Sequence, residues 1–196
     1  MAFITTENID YLVTQAGFDG PIGLLSIDVD GNDYRIWRAT SSCRPDIITC
    51  EYDGVFAIAY LDDSLRSCVK RFKAHCSGQY FGASLPALKL LAARKGYTFI
   101  GTNLNGINAF FVKDTLAPPI LALLSEPRAF PKRLRVGRDE TGALVFHRRI
   151  QDMYALISDL PVLNVGARNL SREANVRFRP QMVAIGDIAV LSLGGC

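Results

Sequence analysis

Apolar residues recur at helical spacing in Ile9, Leu12 and Val13, behind Thr5-Thr6-Glu7, where a threonine oxygen can accept hydrogen bonds from the first free amides. The spacing predicts a helix that ends near Gly17. Ile22 to Val29 is then an apolar run with no polar interruption until Ser26, the pattern of a central parallel strand covered on both faces. Asp33 is placed to cap a short helix, Tyr34 to Ala39, and the run Asp46 to Glu51 after Pro45 predicts the next strand. Residues 53 to 82 have no clear period, and a stretch of that length is more often a lid or binding segment than a plain connection. Ser84 to Lys95 returns to helix, with Leu85, Leu88, Leu91 and Ala92 on one stripe and Gly96 as its stop.

Tyr97 to Thr102 and Ile107 to Lys113, joined through Asn103-Leu104-Asn105-Gly106, predict an antiparallel hairpin, because Asn-Gly supplies the positive φ angles of a tight turn. From Leu116 onward Pro118, Pro119, Pro127 and Pro131 break the pattern, which puts a boundary near residue 117. Beyond it lie a weak strand (Ala143 to His147), a helix (Ile150 to Ser158) and a poorly periodic end. The expected organisation is an α/β unit over residues 1–116 with an extension over 117–196.

Composition narrows the class. With 49% hydrophobic and 21% charged residues, the 196-residue chain has the makeup of a globular protein with one principal core. No apolar run is long enough to span a bilayer, and Met-Ala-Phe-Ile-Thr-Thr-Glu lacks the basic and apolar regions of a signal peptide, so a cytoplasmic protein without membrane partners is expected. Five cysteines at irregular spacing (Cys43, Cys50, Cys68, Cys76, Cys196) argue for reduced thiols rather than a disulfide framework. Cys68 with His75-Cys76 is the nearest approach to a zinc cluster, and adjacent ligands suit a tetrahedral site poorly. The net charge of +3 is unevenly spread: residues 128–179 carry eleven Lys and Arg against five Asp and Glu, which makes the extension basic and the remainder acidic.

The densest chemistry is Ser26-Ile27-Asp28-Val29-Asp30-Gly31-Asn32-Asp33-Tyr34, at the C-terminal end of a predicted parallel strand, where open α/β sheets keep their ligand crevice. If the strand stays extended, Asp28 and Asp30 point to one face and can share a cation such as Mg²⁺, or divide into a base and an orienting group. A purely structural reading stands beside this one, with Asp33 as a helix cap and Asp30 in a turn with Gly31. An EF-hand is excluded, because Gly31 is fourth rather than sixth and Thr40 stands at the twelfth position. Glu51 and Asp53 follow the next strand, so a parallel arrangement brings them beside Asp28 and Asp30. His75, near Lys70, Arg71 and Lys73, reads more simply as part of a solvated basic loop than as a base. Trp37 reads as core, and Phe110-Phe111 as a strand packing on two faces.

Several of these stretches, taken in order, resemble the second half of FkbM-type, S-adenosylmethionine-dependent methyltransferases. The residues concerned are Thr6-Glu7-Asn8-Ile9, Leu25 to Tyr34, Pro45 to Tyr52, Phe81-Gly82-Ala83-Ser84-Leu85, Lys95-Gly96-Tyr97 and Gly106 to Val112. The resemblance covers roughly residues 5–114. It implies a partial Rossmann-like sheet in which Ile22 to Val29 is the fourth strand, Asp46 to Tyr52 the fifth, and the hairpin the closing antiparallel pair. It further implies S-adenosylmethionine as cofactor, O-methyl transfer to a small or saccharide acceptor, Asp28 and Asp30 as base or metal contacts, and Asn32, Glu51 and Tyr52 lining the acceptor pocket. The glycine-rich loop and acidic residue that hold the donor in that family lie upstream of the matched region, and Gly137 to Gly142 and Gly194-Gly195 are poor substitutes.

Two other readings stay open. The chain can be an inactive fragment or interaction module that obtains a donor half from another chain, its exposed sheet edge then driving pairing with that partner or with a second copy. Alternatively Arg128, Lys132, Arg133, Arg135, Arg138, Arg148 and Arg149 can neutralise phosphates, although no nucleic-acid-binding motif accompanies them and a solvated or partner-facing surface is the simpler reading.

Overall fold

The computed structural model describes residues 3–55, 60–61, 71–163, 165, 175–176, 181–185 and 188–192. Cys68, Lys70, Cys196 and Gly194-Gly195 lie outside the described residues. The chain is a mixed α/β protein built on a sheet that contains both parallel and antiparallel strands.

The first half alternates as its apolar pattern predicts: α1 (Ile9–Gln15), β1 (Gly20–Ile27), α2 (Asp33–Ala39) and β2 (Cys43–Glu51). Asn8, rather than a threonine, flanks the start of α1, and its side-chain oxygen accepts from the Thr5 amide at 2.8 Å, so it ties the entry turn instead of the helix amides. After β3 (Tyr60–Leu61) and α3 (Arg71–Ala74) comes α4 (Leu85–Lys95), the helix whose signals agree most fully. The Ser84 side chain accepts from the Ala87 amide, and Gly96 closes the other end at φ 81°. Because Ser84 is fully buried, Ser84→Ala is expected to cost about 1 kcal/mol, read as a lower denaturant midpoint at unchanged slope.

The hairpin β4 (Tyr97–Thr102) and β5 (Asn108–Lys113) completes the main sheet in the order β1-β2-β5-β4. β1 and β2 run parallel; β5 is antiparallel to both β2 and β4. The turn is looser than an Asn-Gly tight turn: only Gly106 takes a positive φ, while the Asn103 side chain accepts from the Ile107 and Asn108 amides.

One face of this sheet carries Ile27, Ile48, Cys50, Ala109 and Phe111, packed under α2 and α4 with Trp37, Leu88 and Leu91. The Trp37 ring meets Phe111 at 4.9 Å between centroids and Tyr97 at 6.2 Å, which fixes it as core. The opposite face is less covered. Among the described strands β1 lies at the edge and not at the centre: Leu24 is 59% exposed and its register partner Ile47 38%. Apolar composition alone led to the other expectation, since it is shared by buried strands and by edges awaiting a neighbour.

Beyond the hairpin a 3-10 turn (Asp114–Leu116) leads into α5 (Ala117–Leu123). Pro118 and Pro119 open this helix rather than break it, because their missing N–H groups fall where helix amides have no partner. Then follow β6 (Val136–Arg138), paired with β7 (Leu144–Phe146), α6 (Ile150–Ala155), β8 (Val162–Leu163), β9 (Asn175–Val176), and the hairpin β10 (Gln181–Ile185) with β11 (Ile188–Ser192). β8 pairs with both β3 and β9. Met153, Ile157 and Val162 form a second apolar cluster with Val55 and Tyr80, so the later part of the chain packs on the loop that follows β2.

Residues 128–133 cross the hairpin loop as a strap. The Thr102 and Arg133 amides donate to the Arg128 and Asn105 carbonyls at 3.0 Å, and the Phe130 amide donates to Thr102 Oγ1 at 2.8 Å. Gly106 permits the crossing: a Cβ there would stand 2.5 Å from the Pro131 carbonyl.

Candidate functional site

The parallel pair β1–β2 ends at Ile27 and Glu51, which brings the following turn of the first strand beside the acidic end of the second. Asp28, Asp33 and Glu51 each offer a carboxylate oxygen within 4.8 Å of the others. Among the described residues this is the only such group of metal-ligating side chains.

The strand does not stay extended to Asp30. Asp30 adopts φ 52°, a left-handed conformation uncommon for a residue with a side chain, and is exposed outside the carboxylate group. Asp33 takes the place expected of it. Its carboxylate does not cap the helix amides; it reaches back to accept from the Val29 amide at 3.1 Å and the Gly31 amide at 3.0 Å, clamping the turn shut. Sequence reasoning assigned Asp33 only the cap, although a carboxylate three residues beyond Asp30 is equally spaced to close such a turn.

Burial pushes the Asp33 carboxyl up to about 6, with the nearby Asp28 charge adding to the rise and the two amide bonds opposing it. Cys50 lies beneath the group with no exposure, its thiol held well above the usual range by burial and then by Asp33, Glu51 and Asp28, so it stays protonated at neutral pH. The raised Asp33 value has a consequence for stability. The folded state binds a proton that the unfolded state releases between about pH 4 and pH 6, so stability falls as pH rises through that window, by about 3 kcal/mol in the limit. Asp33→Asn is expected to flatten this dependence, as measured by urea denaturation at the two ends of the window.

The remaining candidates separate. Asn32 is half-buried at the start of α2, and its amide faces the Val29 carbonyl at 3.5 Å. Glu51 is half-buried and belongs to the carboxylate group. Tyr52 turns away: its phenol donates to the Phe130 carbonyl of the strap at 3.3 Å, and burial raises its pKa. His75 Nδ1 meets Ser77 Oγ at 2.7 Å, a local loop contact.

Asp53, beyond the group, is fully buried and accepts from Lys132 Nζ at 2.7 Å and from the Val55 amide at 3.0 Å. Its other oxygen, Oδ2, has no hydrogen-bond partner among the described residues. Lys132 is 4% exposed and also lies 5.3 Å from the centroid of the Phe81 ring, whose Cβ approaches Gly31. The strap therefore ends on a wall of the acidic turn. Sequence alone gave Lys132 a place among solvated cations, and nothing in its local pattern marks it as the one turned inward.

The three carboxylates fit a hard divalent cation, which takes oxygen donors and completes its coordination with water. They do not build a cradle for S-adenosylmethionine. A Cβ on Gly31 would stand 3.0 Å from the Gly82 amide nitrogen and 3.2 Å from the Phe81 Cβ, so protein already fills the space a glycine loop would leave for a ligand. No family model, curated protein or solved structure matches this chain.

Proposed function

We propose that the chain supplies the acceptor side of an S-adenosylmethionine-dependent O-methyltransferase-like site, in which Asp28, with Asp33 and Glu51, receives a small or saccharide hydroxyl. The observation that carries this reading is the convergence of the three carboxylates at the C-terminal end of a parallel strand pair. A parallel pair closed on the same sheet by an antiparallel hairpin supports the Rossmann-like relationship implied by the sequence. Asp28 is exposed and stands beside the buried Asp33 carboxylate, so Asp28 is the group placed to meet an acceptor hydroxyl as a base, while Asp33, tied to the Val29 and Gly31 amides, holds the turn. A divalent ion such as Mg²⁺, bound by the same oxygens, would orient the acceptor and favour its alkoxide. On this reading the donor is held away from the carboxylate group, by a donor half that another chain supplies.

The test is transfer of a labelled methyl group from S-adenosylmethionine to a panel of hydroxylated acceptors by the purified chain, with and without Mg²⁺. Acceptor-dependent transfer supports the reading. Absence of both transfer and donor binding at millimolar ligand excludes catalysis by this chain alone and leaves the interaction module, which the exposed edge of β1 favours.

A further inference from the structure

Two surfaces on opposite stretches of this chain are each apolar, each exposed, and opposite in charge. The first is the outer edge of β1, with which no described strand pairs. Leu24 lies on it, Phe18 just before it and Tyr11 on the preceding helix, all three well exposed. The first 34 residues hold six acidic side chains and no Lys or Arg; Asp33 is buried, Asp19, Asp28 and Asp30 are exposed at the two ends of β1, and Arg44 of β2 comes near Gly20 at its start. An edge of this kind offers unpaired amides and carbonyls to another strand, within an acidic surround.

The second is the β6–β7 hairpin. Its register sets Val136 against Phe146 and Arg138 against Leu144, which puts those four side chains on one face. Leu144 and Phe146 are 59% and 76% exposed. Arg148 and Arg149 follow directly and are exposed, as are Arg133 and Arg138. With Lys132 turned inward onto Asp53 and Arg149 paired with Asp152, the exposed Arg128, Arg133, Arg138 and Arg148 still outnumber the acidic Asp139 and Glu140 over residues 128–149. The outer edge of β6 is taken by Ser77 and Gln79, which bond the Arg138 amide and the Val136 carbonyl, but no described strand pairs with the outer edge of β7, and so small a sheet gains stability by joining a larger one.

We propose that a second copy of this chain covers the edge of β1 with its β6–β7 hairpin, and that two copies make the exchange reciprocally. Charge complementarity selects this occupant: an acidic apolar edge and a basic apolar hairpin are present together in every molecule. Reciprocal exchange covers both surfaces and closes on a two-fold axis, whereas a one-way contact would leave one surface bare at each end of an open chain. An anionic lipid surface or a nucleic acid would suit the hairpin but would leave the acidic edge of β1 exposed. The inference does not depend on the methyltransferase-like reading.

Sedimentation velocity of the full chain over a concentration series, at low and at high salt, tests it. The expected result is a dimer at low salt that dissociates as salt is raised. Leu24→Glu and Phe146→Glu, both at exposed positions, are each expected to weaken association about tenfold or more. An equimolar mixture of the two variants should associate more strongly than either alone, because the hairpin of one and the edge of the other still form one unaltered contact. A wild-type monomer at every concentration overturns the proposal, and so does association that ignores salt or either substitution, or a mixture no stronger than its components. A monomer that instead binds anionic vesicles or single-stranded RNA through Phe146 assigns the hairpin to that ligand and likewise overturns it.

Discussion

Lys132→Ala is expected to lower the stability of the fold by about 3–5 kcal/mol, the range for removing one member of a buried ion pair. The ammonium and the Asp53 carboxylate are 2.7 Å apart and almost wholly out of water. Among the described residues Asp53 Oδ2 has no partner, and with Lys132 lost the buried carboxylate keeps the hydrogen bond from the Val55 amide alone. Against a total stability of about 5–15 kcal/mol, the loss would be a large fraction. Urea denaturation of the variant beside the double substitution Asp53→Asn with Lys132→Met separates charge from packing. The double variant is expected to be markedly more stable than Lys132→Ala, because no unpaired charge remains in it. If the two unfold at the same midpoint, the strap is held by its backbone bonds and the ion pair contributes little.

On the proposed methyltransferase reading, Asp28→Asn is expected to reduce methyl transfer by about 10²- to 10⁴-fold, the usual contribution of a positioned general base, while leaving the fold intact. Asp28 is exposed, so its loss removes no buried contact. Asp30→Asn serves as the contrast. Although it stands two residues away, its left-handed backbone sets it outside the carboxylate group, and a change of only a few-fold is expected. Equal losses at both positions would mean that the turn straightens when acceptor binds. The readout is the initial rate at saturating donor, with circular dichroism to confirm that both variants are folded.

Much of the first half of the fold can be read from the sequence because its signals are local and agree. α4 has a stripe, a capping serine and a stopping glycine, and the hairpin strands have their asparagine-rich turn. The parallel pairing of β1 with β2 follows from a helix between two apolar runs. What escapes the sequence depends on partners distant along the chain. Whether Ile22 to Val29 lies at the centre or the edge of a sheet is decided by neighbours, not by its own residues. Pro118 and Pro119 stop a helix in one position and start it in another, and the choice is made by the packing of Ala117. At the candidate site Asp28 and Glu51 are found from strand ends alone. Asp30 and Asp33 exchange roles because a single left-handed residue redirects the chain, a backbone choice that Asp30-Gly31 permits but does not dictate. Lys132 is illegible for a further reason: a lysine among arginines looks solvated until its counter-ion is known.

The strap also sets an order in time. Asp53 leaves the ribosome seventy-nine residues ahead of the lysine that neutralises it, so the nascent sheet must wait with that carboxylate hydrated and its surroundings unsealed. Closing so long a loop adds little to the equilibrium cost but delays the final contact, which makes the strap a late event in folding. A nascent or truncated chain ending before residue 132 would therefore leave Asp53 without its counter-ion, whatever the strength of its local elements.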